Sequence, residues 1–228
     1  MNALFVIGSP ASGKSTLIKQ CPWWESEHII NVDDEYERLL KENGLGLNIA
    51  GMTLDELSLT GTLLAEARRK TRSKENLLIQ MRQSICFDMT GGSYNNVKDK
   101  KEYLESLGYK VGMYFMCVPL YVSLERNSLR ERTLVPISVV RSWVSVMKNL
   151  EDFKKLFPTM VEIKYNSGEN DNPMEEQPYM FNNYHTIIKK YPSSKGKEKS
   201  TNQRVKAEQD IITLLDEATK LEMKYACK

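Results

Sequence analysis

Apolar residues fall along this chain in short unbroken runs, separated by longer stretches where they recur every three or four positions. Residues 3–8, Ala-Leu-Phe-Val-Ile-Gly, form the first run and end on glycine. Runs of this length suit strands buried on both faces, as in a parallel sheet covered by helices. Further strands are predicted at 28–32, 84–88, 110–118 and 160–165. Helical patterns lie between them. One opens at Ser15 to Lys19, one covers Glu35 to Lys41, and one runs from Thr53 to Ser73 with Thr53 and Glu56 spaced as a capping box. Another covers Val97 to Leu107 and stops at Gly108. Leu120 to Arg130 and Ile137 to Phe157 complete the set, the last as one long helix. Five alternations of strand and helix predict a three-layer α/β domain with a mainly parallel sheet over residues 1–165.

The pattern weakens beyond that point. Residues 166–178 are polar and turn-rich, and Tyr191 to Arg204 is a Lys/Ser/Gly stretch of loop or linker type. Val205 to Tyr225 resumes helical periodicity, with Ile211, Ile212, Leu215, Ala218 and Leu221 on or near one face. Residues 166–228 are thus expected to be polar loops and a helical extension packed on the core.

Composition alters this picture little. The 228 residues, 41% hydrophobic and 27% charged, are ordinary for a globular protein with one substantial domain. A net charge of +2 excludes a global basic field, though not a local basic groove among the 32 Lys and Arg. Cys21, Cys86, Cys117 and Cys227 include no CxxC pair, and two of them sit in strand runs. Neither a zinc site nor a disulfide framework is expected, and a reducing cytoplasm fits. No basic and apolar leader opens the chain, and no run approaches the roughly 18 apolar residues of a membrane span.

The chemistry enters after the first strand. Gly8-Ser9-Pro10-Ala11-Ser12-Gly13-Lys14-Ser15 matches G-x-x-x-x-G-K-[ST] without departure, with a strand before it and a helix after. Glycines at both ends let such a loop wrap a phosphate chain with its backbone N–H groups turned inward, and the helix adds its positive end. Lys14 is expected at the β- and γ-phosphates, Ser15 on Mg²⁺, and Thr16 near the α-phosphate. The absence of an Asn/Thr-Lys-x-Asp guanine motif favours ATP.

Ligands of open α/β sheets sit beyond the carboxyl ends of the strands. Asp33 and Asp34 follow the second predicted strand, and Asp88 ends the third. A kinase needs a carboxylate to accept or orient the proton of the attacking hydroxyl, and Asp33 is the best-placed candidate. Helix N-capping is the alternative for Asp33, and the doublet allows one residue to cap while the other acts. Asp88 either sits behind the metal or holds the acceptor with Thr90. Gly91 and Gly92 then form a close backbone approach to a ligand or a plain strand-end turn. Arg126, Arg130 and Arg132 follow the fourth strand, and Arg126 and Arg130 are expected on one helix face. Ahead of Val135-Pro136, such arginines can close on a transferring phosphoryl group. Arg132 stays undecided between that role and a solvated ion pair.

These three features together resemble the kinase domain of T-even phage polynucleotide kinase, and more loosely the zeta-toxin kinases, over residues 3–160. The most specific part is Arg126-Asn127-Ser128-Leu129-Arg130 followed by Val135-Pro136-Ile137 and Val140-Arg141-Ser142. The resemblance implies a P-loop sandwich with strand order 2-3-1-4-5, an arginine lid clamping phosphate through Arg126 and Arg130, and an Asp after the second strand as general base. The family's Asp-Asp-Tyr-Arg pattern stands here as Asp33-Asp34-Glu35-Tyr36-Glu37-Arg38, with Asp34 and Arg38 as acceptor-side candidates; the one or two inserted residues leave open whether Asp33 or Asp34 is the base and whether Arg38 faces the acceptor. Asp88-Met89-Thr90 resembles the family's acceptor segment. No Asp-x-Asp-Gly-Thr phosphatase signature is present. The sequence is also similar in size and motifs to what a phage kinase of 5-hydroxymethyluracil in DNA should be. The implied acceptor is a 5′-hydroxyl end or a hydroxymethyl pyrimidine of DNA. A small-molecule kinase of zeta-toxin type and an ATP-gated binding protein are the alternatives. Tyr191 to Arg204 is a candidate for backbone phosphates, and Tyr179, Phe181 and Tyr184 for base stacking, against solvated-loop and core readings of the same residues.

Overall fold

A computed structural model describes residues 1–21, 28–48, 52–164 and 201–225, the last segment by backbone alone over 201–208. Its centre is β1 (Asn2–Gly8), where Phe5, Val6 and Ile7 are at most 1% exposed. β3 (Ile85–Met89) lies parallel on one side of β1 and β4 (Lys110–Cys117) on the other. β2 (Ile29–Ile30) and β5 (Val161–Lys164) complete a parallel sheet in the order β2-β3-β1-β4-β5, as expected. In this register Val6 faces Asp88, so the third strand delivers its carboxylate beside the end of the first.

Helices cover both faces: α1 (Lys14–Gln20), α2 (Val32–Glu42), α3 (Leu54–Gln80), α4 (Tyr94–Ser106), α5 (Leu120–Ser128), α6 (Pro136–Lys148), α7 (Leu150–Leu156) and α8 (Thr201–Tyr225). Phe5, Phe87, Phe115, Phe153 and Phe157 fill the main core, together with Trp143, whose Nε1 donates to Val118 O at 2.8 Å. α8 belongs to this core through buried Leu215 and Ala218. Its Glu222 carboxylate accepts from the Leu120 amide at 2.9 Å, capping the start of α5, and burial pushes that carboxyl up.

Several boundaries differ from the pattern for local reasons. The second strand is two residues long because Asn31 starts α2 early: its side chain accepts from the amides of Asp33 (2.9 Å) and Asp34 (3.4 Å). Asn31, not Asp33, is therefore the cap. The Thr53–Glu56 capping box is present, but α3 continues seven residues past Ser73 to Gln80, and its buried positions Thr71 and Leu78 carry the same face onward. The long helix over 137–157 is instead α6 and α7, broken at Asn149. The Asn149 amide donates to Gly91 O and Gly92 O, each at 3.1 Å. α8 begins at Thr201, so the end of the 191–204 stretch is helical. The rest of that stretch, residues 166–178, and Tyr179, Phe181 and Tyr184 lie outside the described residues. No helix among the described residues is long and apolar enough to cross a membrane.

Candidate functional site

The carboxyl ends of β1, β2 and β3 open on a cleft of about 750 Å³. Its floor is the loop from Gly8 to Lys14. Gly13 has φ of +97°, a left-handed conformation natural to glycine, and Ala11 enters the same region at +60°. A Cβ on Gly8 would stand 2.6 Å from Ser12 Oγ and 2.8 Å from Met116 Cβ, so the loop can press on β4 only with glycine there. Ser9 Oγ and Ser123 Oγ share a buried hydrogen bond of 2.8 Å, which ties the loop to α5. Ser12 is 1% exposed, and its hydroxyl has no hydrogen-bond partner.

Lys14 Nζ donates to Gly8 O (3.0 Å) and Ser9 O (2.9 Å). Burial lowers its pKa, while Asp88 and Asp33 act to raise it. Ser15 Oγ donates to Asp88 Oδ2 at 2.9 Å, and Asn31 Nδ2 donates to the same oxygen at 3.2 Å. Burial pushes the Asp88 carboxyl up, against the pull of Lys14 and the Ser15 hydrogen bond. A hydroxyl and a carboxylate side by side are hard oxygen donors. They suit Mg²⁺, which keeps water and phosphate oxygens for its other positions. Among the described residues no group of three or more His, Cys, Asp or Glu is placed to hold a metal ion.

Asp33 and Asp34 stand in the first turn of α2 and both line the cleft. Asp34 is solvent-accessible, yet partial desolvation and the neighbouring carboxylates Asp88, Glu37 and Asp33 hold its pKa up. Arg126, Arg130 and Arg132 line the same cleft. The expected shared helix face does not form, because α5 ends at Ser128. Arg130 is instead carried by the α5–α6 loop, which still brings it to the same cleft as Arg126. Asn127, 3% exposed, shapes that loop: its amide donates to Leu134 O (2.8 Å) and its carbonyl accepts from Leu134 N (3.0 Å).

Arg132, undecided in the sequence, is paired. Its Nη1 lies 3.0 Å from Asp33 Oδ1 and 3.5 Å from Glu37 Oε1, and its guanidinium sits 5.0 Å from the Tyr36 ring centroid. Asn48 holds the same loop by its backbone. Its Oδ1 accepts from Thr133 N and Oγ1, both at 2.8 Å, and its Nδ2 donates to Glu131 O at 2.9 Å. Thr90 lines the cleft beside Asp88. Arg38 does not join them. It pairs instead with Glu35 (2.6 Å) and Glu42 along α2, away from the cleft-lining residues. Gly91, with φ of +75°, packs so tightly on Ile7 that a Cβ would overlap that side chain. It serves the strand-end turn, not the ligand approach. Asn31, Asn48 and Asn127 are contributions the sequence reading missed. Only Asn31 had a local signal, as an Asn immediately before an acidic helical turn.

No protein-family model and no curated protein matches this sequence. Among solved structures, the chain is similar to the AvrRxo1-ORF1:AvrRxo1-ORF2 complex, crystallised once with ATP and once with sulphate ions. The TM-score is 0.56 at 14% identity, over 96% of this chain and 76% of that one. More distant likenesses are to the PezAT toxin–antitoxin system of Streptococcus pneumoniae (TM-score 0.44, 16% identity, 85% of this chain, 87% of that) and to shikimate kinase from Acinetobacter baumannii (0.42, 12%, 80%, 94%). The likeness to the AvrRxo1-ORF1:AvrRxo1-ORF2 structures shows a shared α/β fold, here a five-stranded parallel sheet in the order β2-β3-β1-β4-β5 with helices on both faces.

Proposed function

We propose that this chain is an ATP-dependent kinase that phosphorylates a hydroxyl group carried by nucleic acid. The observation that supports it is the convergence of the phosphate loop, the carboxylates Asp33, Asp34 and Asp88, and the arginines Arg126 and Arg130 on one cleft. Residues Gly8 to Thr16 bind the triphosphate of ATP through backbone N–H groups and the start of α1. Lys14, Arg126 and Arg130 offset the charge that spreads over the transferring phosphoryl group. Ser15 and Asp88 would hold Mg²⁺, which would neutralise charge on the phosphate oxygens. Asp33 takes the proton of the acceptor hydroxyl as its oxygen bonds to the γ-phosphorus and the bond to the β–γ bridging oxygen breaks, leaving ADP. Arg132 orients the Asp33 carboxylate, and Asp34 and Thr90 line the acceptor side.

The motif order shared with polynucleotide kinase supports a nucleic-acid acceptor, either a 5′-hydroxyl end or a 5-hydroxymethyl pyrimidine of phage DNA in a host cytoplasm. The test offers γ-labelled ATP and Mg²⁺ to 5′-hydroxyl oligonucleotides, DNA containing 5-hydroxymethyluracil, free nucleosides and nucleotide sugars. Label should appear on a nucleic acid, and Asp33→Asn should slow its transfer by about 10²–10⁴-fold. Lys14→Ala should cost at least as much, roughly 10²–10³-fold or more. Label on a small molecule alone would replace the acceptor class. ATP binding with no label on any acceptor would sink the kinase reading in favour of nucleotide-gated binding.

A further inference from the structure

The hairpin of α2 and α3 carries a feature that the chemistry of the cleft does not use. α3 places Arg68, Arg69, Lys70, Arg72 and Lys74 in one short stretch, with no acidic residue between Glu66 and Glu75. Two of the five are engaged within the fold. Lys70 Nζ lies 3.0 Å from Glu66 Oε1 and 3.9 Å from Glu35 Oε1, and Lys74 Nζ donates to Ile29 O at 2.8 Å. Arg68, Arg69 and Arg72 are exposed, and among the described residues no carboxylate lies within 4.0 Å of any of them.

The contrast with α4 is informative. There Lys98, Lys100 and Lys101 pair with Glu102, Glu75 and Glu105 respectively. On α7, Lys154 and Lys155 pair with Glu151 and Asp152. The cations of α4 and α7 are thus neutralised locally, whereas three arginines of α3 are held together against their mutual repulsion. With about 3.6 residues per turn, Arg68 and Arg72 stand one above the other with Arg69 beside them. They face away from the buried Leu63, Ala67, Thr71 and Leu78. Planar guanidinium groups repeated along a helix complement a regular row of phosphodiesters. The Lys70–Glu35 and Lys74–Ile29 contacts set this part of α3 alongside the start of α2, where Asp33 and Asp34 stand.

We propose that Arg68, Arg69 and Arg72 form an anchoring surface outside the cleft for the sugar–phosphate backbone of nucleic acid. It rests on the nucleic-acid reading of the acceptor and adds where the rest of the strand is held. The experiment measures binding of a labelled single-stranded oligonucleotide to the full chain by fluorescence anisotropy across a salt series, without ATP. Combined Arg68→Gln, Arg69→Gln and Arg72→Gln should weaken binding roughly ten-fold near 0.1 M salt. It should also make log K less steep in log salt by about 2, at about 0.7 per lost phosphate contact. The matching triple Arg→Lys variant should keep the slope, because charge rather than fold is tested. Lys98→Gln with Lys101→Gln, which removes charge from α4, should change neither quantity. The proposal is overturned by an unchanged slope in the glutamine variant, by equal weakening in the α4 variant, or by a wild type that ignores the oligonucleotide while binding vesicles of anionic lipid. Binding is read without phosphoryl transfer, so a failure of the kinase reading cannot masquerade as a failure of this one.

Discussion

The two walls of the cleft are built from different physics. The phosphate wall is fixed by backbone and packing: Gly8 pressed on Met116, the buried Ser9–Ser123 bond, and Lys14 donating to two loop carbonyls. The acceptor wall is assembled from charges on exposed and half-buried side chains. Arg132 meets Asp33 and Glu37, Arg130 stands 3.9 Å from Glu37, and Lys41 stands 3.4 Å from Glu131. Among the described residues, Asn48 and Asn127 bind the α5–α6 loop by its backbone. Close packing resists displacement by even a methyl group, whereas surface ion pairs are individually weak and screened by salt. A triphosphate is the same in every ATP, so its wall gains from rigidity. On the proposed kinase reading, the acceptor wall would have to admit a bulkier partner, which exchangeable ion pairs allow.

The largest effect should come from forcing a methyl group into the phosphate wall. Gly8→Ala sets a Cβ 2.6 Å from Ser12 Oγ and 2.8 Å from Met116 Cβ, and Met116 belongs to a sheet strand that cannot recede. Overpacking of this kind costs about 1–3 kcal/mol. In a chain of this size that lowers Tm by roughly 3–10 °C. Calorimetry with and without ATP should show the lower Tm together with loss of the stabilisation that ATP gives the wild type. An unchanged Tm would mean that the loop is free to shift and that the two walls do not differ as described.

The same difference governs what the sequence disclosed. Continuous apolar runs such as residues 3–8 announced the parallel strands, and a strand–glycine loop–helix motif is local, so the phosphate wall was legible nearly residue by residue. The strand order came from family resemblance, since no local pattern encodes which strands are neighbours. The acceptor wall was legible in residue type but not in partnership. Arg132 reaches Asp33 across 99 positions and Asn48 reaches Thr133 across 85, contacts that no periodicity reports. The single long helix over 137–157 failed for the same reason, because the break at Asn149 is fixed by carbonyls of Gly91 and Gly92.

A smaller effect, of opposite sign, should follow at the seam between the walls. Asp88 has its carboxyl pushed up chiefly by burial, so the folded state holds that proton more tightly than the unfolded chain does. Its contribution to stability is therefore most favourable below the ordinary carboxylate range and is lost as pH rises through the raised folded value. Asp88→Asn keeps an oxygen to accept from Ser15 but carries no charge to desolvate. The variant should be the more stable protein at neutral pH, by less than the Gly8 change, and the difference should vanish in acid. Phosphoryl transfer should fall with it, because the partner of Ser15 in holding Mg²⁺ is gone. Denaturant midpoints measured across pH test this directly. A variant less stable than wild type at neutral pH would mean that the attraction between Asp88 and Lys14 outweighs the burial.

The smallest change in stability belongs to the acceptor wall. Arg132→Gln removes ion pairs to Asp33 and Glu37 and a guanidinium lying over Tyr36. Asp33 is 61% exposed, so solvent screens the pair, and the whole substitution should cost under about 1 kcal/mol. Its effect on catalysis has a different signature. With the Asp33 carboxylate no longer oriented, kcat should fall several-fold while ATP binding stays unchanged. The ratio of wild-type to variant kcat should then shrink as ionic strength rises, because salt screens in the wild type the same contact that the substitution deletes. Arg132→Lys separates charge from geometry, since lysine keeps the attraction but cannot lie flat over Tyr36. If the ratio holds constant with salt, packing on Tyr36 rather than the ion pair positions the base, and the acceptor wall is closer in kind to the phosphate wall than its charges suggest.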